Sequence, residues 1–202
     1  MITIVDYGIG NMGSLANMLK RIGVSSSIET DPELLLKADK IILPGVGSFD
    51  TAMNQIARLP GLREVLNHKA LKEQVPILGI CLGMQLLTNS SEEGECLGLG
   101  WIDGSVKLFP QKNGLKVPHM GWNIAKPNFG HQITKNISPQ TRYYFVHSYY
   151  VDVTDPKNSA MKTSYGLEFD SAITKENIIG LQFHPEKSHR FGMKILQNFC
   201  DI

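Results

Sequence analysis

Pro76-Ile77-Leu78-Gly79-Ile80-Cys81-Leu82-Gly83-Met84-Gln85 is the stretch that decides how this chain folds. An apolar run closes on a cysteine with glycine two residues to either side, and Leu82, Gln85 and Leu86 then follow at helical spacing. A strand that meets a helix at such a point forms a nucleophile elbow, with cysteine where many hydrolases carry serine. Strand and helix pass so close to the elbow that neighbouring side chains are excluded, and Gly79 and Gly83 leave the gaps this requires. The helix starts at the sulfur and aims free N–H groups and its positive end at it, a setting that activates a thiol. This spacing sets Cys81 apart from the usual free cysteine, which is a small core hydrophobe.

A nucleophile needs a base, and the base needs a group to orient it. Near the other end the chain reads Ile178-Ile179-Gly180-Leu181-Gln182-Phe183-His184-Pro185-Glu186. An apolar strand leads into His184, and Pro185, which has no N–H to donate, ends the ladder. Residues two apart on extended backbone share a side, so Glu186 can hold one ring nitrogen of His184 while the other takes the thiol proton.

Outward from these segments, apolar patterning predicts strands at 2–5, 24–29, 40–43 and 77–80, with helices at 14–22 and from 49 to 55. Such alternation predicts an α/β fold: a mostly parallel central sheet with helices on both faces. Residues 97–150 are richer in Gly, Pro and aromatics and predict a smaller antiparallel part. A strand at 178–183 returns to the sheet and a helix at 191–199 closes it, so residues 1–202 read as one domain.

Composition narrows the class further. Hydrophobic residues at 42% and charged residues at 19% describe an ordinary globular protein. A net charge of +1 offers no electrostatic footprint for nucleic acid. Three widely spaced cysteines (Cys81, Cys96, Cys200) form neither a disulfide framework nor a zinc pattern. Asp6 interrupts the short apolar start, so no signal peptide is read, and no run is long enough to span a bilayer. These features predict a cytoplasmic protein whose thiol stays reduced. Gly8-x-Gly10-x-x-Gly13, with Glu29 ending the next strand, matches a dinucleotide fingerprint. No second nucleotide-binding half follows, so these glycines read as turn residues at a functional rim.

Gly79-Ile80-Cys81-Leu82-Gly83-Met84-Gln85 together with Phe183-His184-Pro185-Glu186 resembles the class I (triad) glutamine amidotransferases, and Leu43-Pro44-Gly45-Val46-Gly47-Ser48-Phe49 resembles that family's oxyanion strand. Within it, Tyr7-Gly8-Ile9-Gly10-Asn11, Val117-Pro118-His119-Met120-Gly121-Trp122-Asn123 and Tyr144-Phe145-Val146-His147-Ser148-Tyr149 are similar to the glutaminase subunits of imidazole glycerol phosphate synthases of histidine biosynthesis. The resemblance runs through nearly the whole chain and implies a flavodoxin-like α/β fold. It implies glutamine hydrolysis through a cysteinyl thioester, with Cys81, His184 and Glu186 as the triad. Val46, Gly47 and Leu82 would form the oxyanion hole, while Gly45, Gln85, Glu93, His147, Ser148 and Tyr149 would bind substrate.

The resemblance also implies a heterodimer with a cyclase subunit, a (β/α)8 barrel that receives the ammonia and makes imidazole glycerol phosphate and AICAR. Asn11, Met120, Trp122, Asn123 and Lys187 would face that partner. No metal and no organic cofactor is implied, nor any nucleic acid or membrane. Some peptidases and deglycases of the same fold place histidine directly after the cysteine, where this chain has Leu82. Residues 10–14 and 187–193 are closer to relatives that supply N-acetyl sugar amidotransferases of surface polysaccharide synthesis, which stand as the alternative acceptor.

Overall fold

The computed structural model describes residues 1–111, 114–128 and 130–202. Strand and helix alternate through β1 (Ile2–Val5), α1 (Met12–Arg21), β2 (Ser26–Glu29), α2 (Pro32–Leu35), β3 (Lys40–Leu43), α3 (Phe49–Arg58), α4 (Leu62–Leu71), β4 (Ile77–Ile80) and α5 (Leu82–Leu86). Shorter elements follow: β5 (Ser90–Ser91), β6 (Gly104–Leu108), β7 (His119–Ile124), β8 (Lys126–Pro127), β9 (Arg142–His147) and β10 (Tyr149–Val153). A hairpin of β11 (Ser159–Tyr165) and β12 (Leu167–Lys175) leads to β13 (Ile178–Leu181) and α6 (His189–Cys200).

The main sheet runs β2-β1-β3-β4-β13-β12-β10-β6-β5, with β11 and β8 attached at β12, while β7 and β9 form a separate pair. From β2 to β13 neighbours are parallel, and β12, β10 and β6 continue the sheet antiparallel. Crossovers bury both faces of a parallel sheet, so its strands read as unbroken apolar runs rather than alternating ones. Alternation nevertheless decides which residue meets which helix. Ile41, Leu43 and Ile77 pack with Phe49, Ile56 and Leu66 of α3 and α4, whereas Ile42, Leu78 and Ile80 pack with Leu15, Leu19, Ile195 and Phe199 of α1 and α6. Among the described residues no helix is long and apolar enough to cross a membrane.

The chain leaves β1 for β2 on one side and comes back to β3 on the other. At such a reversal the loops after the strands' carboxyl ends splay apart and leave a crevice. The segments that follow β1, β3, β4 and β13 all emerge at this end of the sheet.

Strands at 2–5, 40–43 and 77–80 lie where the sequence predicts them. Helix α1 starts two residues earlier than predicted, α6 is longer at both ends, and β2 and β13 are shorter. Helix α4 and the β11–β12 hairpin have no counterpart in the sequence reading. Helix α4 buries Lys69, whose Nζ donates to the Leu36 carbonyl (2.8 Å) and to Glu73 (2.5 Å), and this polar residue interrupts the apolar stripe. The hairpin buries Thr163, Asp170 and Ser171, so positions facing the core look polar. The antiparallel extension is accordingly longer than the stretch 97–150 indicates.

A side chain at residue 83 has no room: a Cβ on Gly83 would overlap the Leu43 carbonyl oxygen. Gly83→Ala should therefore destabilise the fold by at least about 2 kcal/mol, in the range of overpacked interiors. Urea unfolding measures this, and an unchanged midpoint would show that β3 yields easily.

Candidate active site

Cys81 follows β4 with φ 55° and ψ −110°, a left-handed conformation that a non-glycine residue keeps only when its surroundings enforce it. A Cβ on Gly79 would stand 2.5 Å from the Gly83 carbonyl oxygen and 2.8 Å from the Met84 nitrogen. Gly45 belongs to the same tight approach, since a Cβ there would lie 2.8 Å from the Gly83 nitrogen and 2.9 Å from the Tyr7 hydroxyl. That hydroxyl is buried and donates to the Pro44 carbonyl at 2.5 Å, holding residues 44–47 against α5. Burial, and then the charge of the Cys81 sulfur, raise the Tyr7 phenol above its ordinary range. Gly47 has φ 94°, and the N–H groups of Val46, Gly47 and Leu82 find no acceptor among the described residues.

His184 remains extended (φ −97°, ψ 100°), and Pro185–Lys187 then forms one turn of 3-10 helix. Glu186 thus reaches back to His184 through a turn rather than along extended backbone as the spacing suggests. Its Oε1 lies 2.8 Å from Nδ1, and both side chains are 4% exposed. A carboxylate accepts, so Nδ1 carries the hydrogen and Nε2 is left for a proton. Nε2 has no hydrogen-bond partner among the described residues, so the sulfur is its neighbour but not bonded to it. Burial disfavours a charged ring, yet the Cys81 sulfur and the Glu186 carboxylate outweigh it and push His184 up to about 10. Ser188 fixes the backbone here: its Oγ donates to the His184 carbonyl (2.7 Å) and accepts from the Tyr144 N–H (2.9 Å).

Cys81 and His184 share a cavity of about 330 Å³ with Val46, Gly47, Leu82, Gln85, Glu93, His147, Ser148, Tyr149 and Lys187. Glu93 accepts the Phe49 N–H at the start of α3 (2.8 Å) through one carboxylate oxygen. Asp50 anchors the adjoining loop through the N–H groups of Glu95 (3.0 Å) and Cys96 (2.9 Å), and these bonds lower its pKa.

The remaining sequence-predicted residues sit outside this cavity. Gly45 lies behind the loop, packed on Leu82 and Tyr7. Asn11 is exposed and caps α1, accepting the Ser14 N–H at 3.3 Å. Met120 and Trp122 share the outer side of β7 at 61% and 44% exposure. The Trp122 ring stacks on His189 (centroids 5.7 Å apart, planes within 4°), and Lys187 lies over Tyr144 at 5.9 Å. Asn123 turns inward instead, donating to His119 Nε2 (3.1 Å) and to the Ser164 carbonyl (3.0 Å). Gly8 and Gly10 adopt left-handed φ values of 85° and 132°, as turn residues do, and Gly10 packs on Pro44; neither glycine lines the cavity.

Four residues at the site went unread in the sequence: Tyr7, His119, Gln182 and Ser188. The same two-residue rule that joins His184 to Glu186 also puts Gln182 on the side of His184. His119 stands opposite His147 on the β7–β9 pair. His147 Nδ1 lies 2.7 Å from the Tyr149 carbonyl, which only accepts, so this nitrogen bears the hydrogen. His147 Nε2 then accepts from His119 Nδ1 at 2.9 Å, and both rings are neutral. Burial lowers His119 to about 4 and His147 to about 3.

Comparison with known proteins gives the family of the chain. The family described as glutamine amidotransferase class-I matches residues 3–202. The imidazole glycerol phosphate synthase subunit HisH 2 of Methanococcus maripaludis is 54% identical over 98% of this chain and 98% of its own length. Its namesake from Pseudomonas aeruginosa is 46% identical over the full length of both chains. Among solved structures, PurLQS from Thermotoga maritima superposes with a TM-score of 0.73 at 19% identity, over 99% of this chain and 97% of that one. A further glutamine amidotransferase superposes with a TM-score of 0.75 at 14% identity, over 100% of this chain and 98% of that one. At such low identity these two structures bear on the fold alone.

The buried histidines make stability depend on pH. Burial also lowers His131, so with His119 and His147 three rings resist protonation when folded. Below about pH 6.5 the unfolded chain binds protons that the folded chain refuses. Their contribution is whole above that pH and is lost as pH falls toward the folded values. His184 acts in the opposite sense: its raised value stabilises fully below about pH 6.5, and that stability is lost as pH rises to about 10. Urea unfolding should therefore weaken from about pH 6.5 to about pH 5, above the range where most carboxylates titrate. A flat response across that window would contradict the neutral pair.

Proposed function

The chain belongs to the class-I glutamine amidotransferases, and we propose that it is the glutaminase subunit of an imidazole glycerol phosphate synthase, working in the cytoplasm with a cyclase subunit. The observation that carries the chemistry is a cysteine at a strained elbow sharing one cavity with a His184–Glu186 pair 2.8 Å apart. Full-length relatives at 54% and 46% identity, each named a subunit of that synthase, support the pathway.

In the reaction, His184 Nε2 already holds the proton of Cys81, as its raised pKa requires, and the Cys81 sulfur attacks the side-chain amide carbon of glutamine. The Glu186 carboxylate steadies the resulting imidazolium. Negative charge gathers on the amide oxygen, where the N–H groups of Leu82 and of the Val46–Gly47 segment receive it. One such donor is typically worth about 3–4 kcal/mol of barrier. His184 returns the proton to the departing nitrogen, ammonia leaves, and a γ-glutamyl thioester remains. Water deprotonated by His184 then attacks the thioester carbon; the C–S bond breaks, and glutamate and the thiol are restored. Glu93 holds the substrate ammonium, while Gln85 and the segment His147-Ser148-Tyr149 bind the rest of the substrate.

Ammonia that escapes to neutral water becomes ammonium and loses its nucleophilicity, so the product must pass directly to the partner. Met120 and Trp122, with Lys187 and Asn11 nearby in the rim, form the docking face, and Asn123 supports that strand from its inner side. An exposed tryptophan stacked on another ring has the character of an interface hot spot.

Glutamate release should be strongly stimulated by the cyclase subunit with its nucleotide ligand. Cys81→Ala should abolish it while cyclase binding persists; retained glutamate formation would remove the reading altogether. Stimulation by an N-acetyl sugar amidotransferase in place of the cyclase would keep the chemistry and overturn the partner. Trp122→Ala should weaken cyclase binding at least about tenfold with little change in melting temperature, and a large drop in that temperature would show a packing role instead.

A further inference from the structure

Gln182 is wholly buried between β13 and His184, and glutamine hydrolysis as described gives it no task. Chemistry fixes which way its side chain points. The Tyr149 carbonyl can only accept, so Gln85, which meets it at 3.2 Å, presents its amide nitrogen there. The second hydrogen of that nitrogen goes to Gln182 Oε1 at 3.1 Å. Gln182 must then turn its own Nε2 away from Gln85, and this atom lies 3.9 Å from Cys81 Sγ. His147 Nδ1 holds the same Tyr149 carbonyl from another side, so the orientation of both amides is settled behind the cavity.

We propose that Gln182 is a positioning residue that donates an N–H hydrogen bond to the Cys81 sulfur, aiming it at the substrate carbon and stabilising its anionic form. Besides His184, the sulfur has the Val146 carbonyl as a neighbour at 4.0 Å, which accepts from the thiol but has nothing to offer the anion. An N–H directed at a buried anion makes a charge-assisted bond. A donor oriented before the reaction begins also needs no reorganisation during it. Holding the Gln85 amide requires only an acceptor at this position, so the N–H turned toward the sulfur is what an amide adds.

The inference rests on reading Cys81 as the nucleophile, and its test is chosen to be independent of turnover. The titratable groups around the sulfur are Tyr7 after β1, His147 at the end of β9, and His184 with Glu186 after β13, with Glu93 and Lys187 along the cavity. Substitution of Gln182 leaves all of them in place. The full-length protein is treated with iodoacetamide across a pH series, and alkylation of the Cys81 peptide is followed by mass spectrometry, with Cys96 and Cys200 as internal references.

Gln182→Met removes the donor and keeps the length, so alkylation at neutral pH falls about tenfold while the high-pH plateau, where the sulfur is ionised regardless, is retained. Gln182→Glu keeps an acceptor for Gln85 but sets a negative charge beside the sulfur, and slows the neutral reaction further. A wild-type profile in the Met variant overturns the proposal; if that variant does not fold, a wild-type profile in the Glu variant does so. Glutamine hydrolysis measured in parallel keeps the two readings apart. A wild-type protein that hydrolyses no glutamine removes the proposed function, while the alkylation profiles still decide the role of Gln182.

Discussion

The α-carbon of Gly83 lies directly against the Leu43 carbonyl, and most of the site follows from that contact. To bring α5 so near to β3, the chain must turn sharply after β4, and it does so by placing Cys81 at positive φ. The turn clears side chains from Gly79, Gly83 and Gly45 at once, because the nearest approaching atom in each case is backbone and cannot rotate away. In return, Leu82, Val46 and Gly47, whose N–H groups have no acceptor among the described residues, line the cavity that holds the sulfur. The dense elbow and the proposed oxyanion site therefore depend on the same close approach of α5 to β3.

Behind the sulfur the polar atoms are closely matched. Ser188 ties the His184 backbone to β9, Tyr7 ties Pro44, and the Tyr149 carbonyl accepts from both His147 and Gln85. Buried polar groups are tolerable when each donor meets an acceptor, and such networks then fix a single arrangement. Among the described residues, His184 Nε2 and Glu186 Oε2 are two of the buried atoms that have no hydrogen-bond partner. In the proposed reaction that nitrogen carries the proton between the sulfur and the departing ammonia. The backbone around the sulfur is thus tied at several points, while the proposed acid–base nitrogen has no hydrogen bond of its own among the described residues.

Strand β7 joins the two halves of the proposed activity. Its outward residues, Met120 and Trp122, are exposed beside the cavity, and its inward residues, His119 and Asn123, enter the chain of hydrogen bonds that ends on the Tyr149 carbonyl. Alternation along a strand puts these two sets back to back with a single backbone between them. A partner seated on the outer set therefore presses on the element that helps to hold the wall of the cavity.

The amino-acid sequence by itself determined the elbow, the histidine with its carboxylate, and the strands at 2–5, 40–43 and 77–80. Each is specified locally, by glycine where side chains cannot fit, by proline where a ladder must stop, or by an uninterrupted apolar run. Tertiary structure alone decided the rest. Helix α4 and the β11–β12 hairpin carry polar residues on their buried faces, and Lys69 and Asp170 find their partners only after folding. Asn123 turned inward and Gly45 backward because of what packs against them from distant parts of the chain. The direction of the Gln85 and Gln182 amides is a still finer case. An amide offers a donor and an acceptor of nearly equal shape, and only the Tyr149 carbonyl, brought close by the fold, chooses between them.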